Sequence, residues 1–177
     1  MNRSSLKRIS IFALTMLFSL LVNADAAGDF QTRCTEGWMK HADEAKDKVD
    51  FKNFGEKFCG CAAKQPLDDK EKAAKVCMSR TLLHDAMDSI EDDIGLSKAK
   101  DSDVADYCQD RWDLVLPKPT DEDKKLITAY CECAKPKLVE LLKKSNDMTD
   151  KQYYDEIDSV ADACADSAVA SKPSSPN

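Results

Sequence analysis

Apolar residues recur along this chain at the spacing of a helix face, in six separate stretches. In the first, residues 28–48, Phe30, Cys34, Trp38 and Ala42 recur every four residues. The second begins near Asp50 with Phe51, Phe54, Phe58 and Cys61, and Pro66 bounds it. The third opens at Asp68 or Asp69 as N-cap. It carries Ala73, Val76, Leu83, Met87, Ile90 and Ile94, and Gly95 stands where a helix ends. A short polar link follows, and Ser102 is placed to cap a fourth helix with Val104, Cys108, Trp112 and Val115. Pro117 and Pro119 stop it. Thr120 and an acidic first turn open the fifth, with Ile127, Tyr130, Cys133 or Ala134, Leu138, Leu141 and Leu142 on its apolar face. Pro136 inside that pattern predicts a kink or a split. Thr149 to Gln152 reads as a capping box before a sixth helix of Tyr153, Ile157, Val160, Ala161 and Cys164. No useful length of chain alternates strictly, and glycine is scarce, so the expected fold class is all-α.

Ahead of these stretches stands a segment of different character. Arg3, Lys7 and Arg8 precede an apolar run from Ile9 to Val22, and Ala24-Asp25-Ala26 has the form of a cleavage site. Residues 1–26 therefore read as a signal peptide, too short and too soon followed by polar chain for a membrane span. No cysteine sits at the cleavage site, which argues against a lipoprotein. The signal removes three basic residues and one acidic residue, so the remainder carries 23 against 32, a net charge of −9. That balance disfavours nucleic acid and anionic membrane surfaces as partners. Residues 171–177, rich in Ser and Pro, read as a disordered tail.

All eight cysteines lie in the exported part, an even count that points to disulfides in an oxidising compartment, periplasm or medium. The exported part has no Asn-x-Ser/Thr acceptor, which favours a bacterial source. The cysteines also show a pattern. Cys34-x-x-x-Trp38 matches Cys108-x-x-x-Trp112, and Phe58-Cys59-Gly60-Cys61-Ala62 matches Tyr130-Cys131-Glu132-Cys133-Ala134. Cys77 and Cys164 then follow on helices of their own. The same order predicts two related three-helix units, residues 27–97 with Cys34, Cys59, Cys61 and Cys77, and residues 98–170 with Cys108, Cys131, Cys133 and Cys164. From the second cysteine of each pair to the last is 16 residues in one unit and 31 in the other; two longer antiparallel helices absorb the difference.

Residues i and i+2 on a helix point about 200° apart. A Cys-x-Cys pair on a middle helix therefore reaches both neighbours, one thiol to each. The stripe of Phe58 and Tyr130 leans toward Cys34–Cys61 with Cys59–Cys77, and Cys108–Cys133 with Cys131–Cys164.

Function is less legible. A redox dithiol needs a lowered thiolate pKa, and Cys59 and Cys61 sit near an expected helix C-terminus. Cys-x-Cys with His41 or His84 does not have the spacing of zinc modules. No nucleophile elbow, phosphate loop or metalloprotease motif occurs. Lys135, Lys137, Lys143 and Lys144 flank the leucines of the fifth helix and read as the solvated edge of a core face. The expectation is a non-enzymatic binding module for a protein partner or a small apolar ligand, with no catalytic residue, cofactor or metal ligand assigned. The alternative is a thiol–disulfide or metal-handling protein using Cys59/Cys61 and Cys131/Cys133.

Overall fold

The computed structural model describes residues 27–65 and 70–170. Residues 1–26, expected to be a signal peptide, Pro66, the cap candidates Asp68 and Asp69, and residues 171–177, expected to be a tail, lie outside the described residues. The described residues hold six α-helices and no strand. They are α1 (Ala27–Met39), α2 (Lys48–Ala62), α3 (Lys70–Asp93), α4 (Asp101–Val115), α5 (Asp121–Lys144) and α6 (Asp150–Ala170), joined in places by single 3₁₀ turns.

Local chemistry explains most of the boundaries. The first helix stops at Met39, short of the expected span, because its end tightens into three-residue bonds: Lys40 N to Gly37 O and His41 N to Trp38 O. Asp47 then starts α2, accepting from the backbone N–H of Val49 and Asp50 at 2.8 and 3.0 Å. Gly95 ends α3 with φ +85°, its N–H bonded to the Ile90 carbonyl at 2.9 Å. The cap of α4 is Lys100, not Ser102; the Asp103 carboxylate accepts from the Lys100 N–H at 2.7 Å. Thr120 caps α5 as expected, and the structure completes it as a box, with Thr120 Oγ1 accepting from Asp123 N–H and Asp123 from Thr120 N–H. The box at α6 pairs Thr149 with Gln152.

Pro136 does not split α5, which runs as one helix from Asp121 to Lys144. The ring sits on the exposed side, so it removes one donor, the partner of the Glu132 carbonyl, without disturbing the packed face of Leu138, Leu141 and Leu142.

Helices α1 and α2 pack together, and α2 packs against α3; α3, α4, α5 and α6 close around a second centre, α3 touching both α4 and α6. Two buried clusters result. One gathers Trp38, Phe51, Phe54, Phe58, Met78 and Leu82. The other gathers Leu83, Met87, Ile90, Ile127, Leu138 and Ile157. Helix α3 serves both: adjacent residues Leu82 and Leu83, about 100° apart on the helix, each face a different core.

Candidate functional site

The sulfur framework is the first feature the fold positions. The bonds are Cys34–Cys59, Cys61–Cys77, Cys108–Cys131 and Cys133–Cys164, and no cysteine among the described residues is free. Each Cys-x-Cys reaches both neighbouring helices and stays within its own set of four, as the spacing predicts. Which sulfur goes where is the reverse of the expected pairing: Cys59, not Cys61, joins α1, and Cys131, not Cys133, joins α4.

For α2 the reason lies at Gly55. A Cβ there would sit 2.6 Å from Trp38 Cγ, so the bare backbone of α2 is what admits the indole of α1. Helix α5 carries Ile127 at the corresponding position, so that contact has no counterpart there. Trp38 also stacks on Phe51 and Phe54, at 4.8 and 5.6 Å between ring centres, and its Nε1 donates to the Phe51 carbonyl at 2.8 Å. Viewed down α2, Gly55 and Cys59 lie about 60° and 100° to one side of Phe58, and Cys61 about 60° to the other. Helix α1 docks on the glycine side and Cys59 is the thiol it meets. The phenylalanine stripe does meet α1, since Phe58 also packs on Trp38 at 5.5 Å, but Cys61 lies on the far side of that stripe from Gly55.

A network of charged and polar groups ties α3 to the helices around it. Lys57 of α2 bonds Asp85 and Asp88 at 2.8 and 3.2 Å. Arg111 of α4 reaches Asp85 at 3.2 Å. Tyr154 of α6 donates to Asp88 at 2.9 Å. Arg80 grips Asp162 through two nitrogens and also meets Asp158, which His84 shares at 2.9 Å. Burial pulls the Lys57 ammonium down, but its two carboxylates outweigh that and hold it above the usual lysine range. The Asp162 hydrogen bond likewise raises Arg80 against burial. Deeper in, Ser79 donates to the Ala161 carbonyl at 2.7 Å, and the Tyr130 hydroxyl points between Ser79 Oγ and its carbonyl. Burial pushes the Tyr130 phenol far above the ordinary tyrosine range.

Most of these groups satisfy one another, although Arg111 Nε is buried with no partner among the described residues. His84, one of the two histidines weighed as ligands, is held by Asp158 and stacked on Tyr154 at 5.0 Å. His41 is exposed. No cluster of three or more His, Cys, Asp or Glu suited to a metal occurs among the described residues.

Among the described residues, a groove of about 600 Å³ lies between α5 and α6. Pro136, Leu141, Met148 and Val160 form its apolar floor and walls, and Lys137, Glu140, Lys144, Glu156 and Ser159 its rim. Of the rim, Glu140 is engaged by Lys143 and Lys144 at 3.6 and 3.1 Å. Lys137 turns instead toward the Cys133–Cys164 bond, at 3.8 Å from Cys133 Sγ and 3.7 Å from Cys164 Sγ. Sequence periodicity did not reveal this groove. Its signal was Pro136, an exposed apolar ring on the outer face of a helix whose inner face is core. No helix among the described residues is long and apolar enough to cross a membrane.

No family model matches this chain, and no curated protein or solved structure matches it either.

Proposed function

We propose that the chain is an exported, non-enzymatic binding module, built from two related three-helix units and carrying a small apolar ligand in the α5–α6 groove. The observation that carries the reading is the groove itself. Its volume lies within the range of small-molecule sites, roughly 300–1,000 Å³, and an apolar floor with a few polar groups at the rim is the usual composition of such sites. Relatedness of the units is supported by the shared order of bonds. In each, the first cysteine of Cys-x-Cys ties to the preceding helix and the second to the following one. Export to periplasm or medium is supported by four disulfides, which persist in oxidising compartments. A non-catalytic role is supported by the way His84, Asp158 and Arg80 are committed to joining α3 with α6. The net negative charge turns the chain away from nucleic acid.

A fluorescent undecanoic acid titrated into the mature protein tests the groove. Saturable binding at one site per chain is expected, weakened at least about tenfold by Ser159→Trp, which places an indole on the rim. Binding that does not saturate, or that Ser159→Trp leaves intact, would overturn the ligand reading. A protein partner seated on the same groove would instead show as a complex of defined stoichiometry that the same substitution breaks. Export has its own check: the intact mass of the released form should match a chain from Ala27 lacking eight hydrogens.

A further inference from the structure

The geometry points to the Cys133–Cys164 bond as a thiol-exchange site, with Lys137 as the group that activates it. The bond combines two features that such chemistry needs. Cys133 is only half-buried, whereas Cys164 is fully buried, so an external thiolate has access from the Cys133 side. Lys137 is exposed, yet its ammonium lies within hydrogen-bonding distance of both sulfurs, at 3.8 and 3.7 Å. The carboxylate one turn further along α5, Glu140, is taken by Lys143 and Lys144, so it does not draw Lys137 away.

The step balances with a monothiol as co-reactant. A thiolate attacks Cys133 Sγ; the sulfur–sulfur bond breaks, and its electron pair leaves on Cys164 Sγ beside the Lys137 ammonium. Cys133 now carries the mixed disulfide. A second thiolate attacks the external sulfur of that mixed disulfide, expels Cys133 as thiolate, and forms the oxidised thiol dimer. The two protein thiolates take up the two protons that the monothiols released. A cation beside the departing sulfur lowers the pKa of its thiol, and a thiol of lower pKa leaves faster. The Cys108–Cys131 bond is the opposite case, with both residues buried at 2 and 6% exposure. Opening Cys133–Cys164 unties α5 from α6 at the Lys137 end of the groove, so the same bond governs how firmly that end is held. The inference stands whatever occupies the groove.

The test is limited reduction of the native protein with 2-mercaptoethanol, a neutral monothiol, followed by alkylation and peptide mapping at successive times. Cys133 and Cys164 are expected to label first and Cys108 and Cys131 last. Lys137→Gln should slow the Cys133–Cys164 bond relative to Cys61–Cys77 by about threefold to tenfold, and Lys137→Arg should restore most of the rate. Reading the ratio of two bonds in one molecule removes any effect of global unfolding, which would expose all four together. Earlier opening of any other bond, or a ratio unmoved by Lys137→Gln, would overturn the assignment.

Discussion

At the scale of single residues, small differences decide which groups can be changed. Gly55 and Gly60 lie on the same helix, but a Cβ at Gly55 meets the Trp38 ring and one at Gly60 meets only the end of Gln31, at 3.3 Å. Gly55→Ala should therefore destabilise by about 1–3 kcal/mol, the usual cost of overpacking. Gly60→Ala should be neutral or stabilising by up to about 1 kcal/mol, since alanine is the better helix former. Paired urea unfolding midpoints check both, and equal shifts would refute the proposed docking of α1. Tyrosines offer a second contrast. Tyr153 is buried with no hydrogen-bond partner for its hydroxyl among the described residues. Tyr130 is buried with its hydroxyl bonded to Ser79. Tyr153→Phe is expected to hold or raise the unfolding free energy, and Tyr130→Phe to lower it by about 1–2 kcal/mol.

At the scale of elements, caps and one proline set the stability of individual helices. Asp47 satisfies two N–H groups at the start of α2, and Asp47→Ala should cost about 1 kcal/mol. Pro136 acts in the opposite sense. Pro136→Ala restores a donor to the Glu132 carbonyl and should raise the thermal midpoint, offset in part by the greater freedom of the unfolded chain. Loss of stability in that variant would mean the ring is needed where it stands, against the groove. The disulfides fasten these elements to one another. Each closes a loop of 16 to 31 residues and contributes about 3 kcal/mol in the chain-entropy model. That is a large share for a chain with 7% aromatic and 33% charged residues.

At the scale of the whole molecule, α3 is the shared member. It carries the bond to α2, fills part of both cores, and anchors the charged network reaching α2, α4 and α6. That network has a definite response to pH. Burial, with help from the Asp88 hydrogen bond, pushes Tyr154 up to about 12. Carboxylate partners lift Lys57. Both groups bind their protons more tightly folded than unfolded. Their contribution is complete below the unfolded pKa values, near 10, and is lost as pH rises through the folded ones. Stability should therefore fall between about pH 10 and pH 12, and phenolate absorbance of the native protein should rise later than that of the unfolded chain. Coincident titration curves would contradict the burial of these tyrosines.

Much of this was already legible in the chain. The six helices, their apolar faces, the Thr120 cap, the Thr149 box and the terminal Gly95 follow from contacts within a few residues, which a linear pattern records. So does the reach of each Cys-x-Cys to both neighbours, because the turn of a helix is fixed. The choice between Cys59 and Cys61 was not legible, since it depends on which side of α2 the first helix docks. A close approach of Trp38 to Gly55, distant in sequence, decides that. The double duty of α3, the groove beside Pro136 and the seat of Lys137 on a disulfide are likewise products of helices meeting. The chain alone determined what each helix offers its surroundings; the tertiary structure decided which offers meet, because packing selects among faces that local periodicity leaves equivalent.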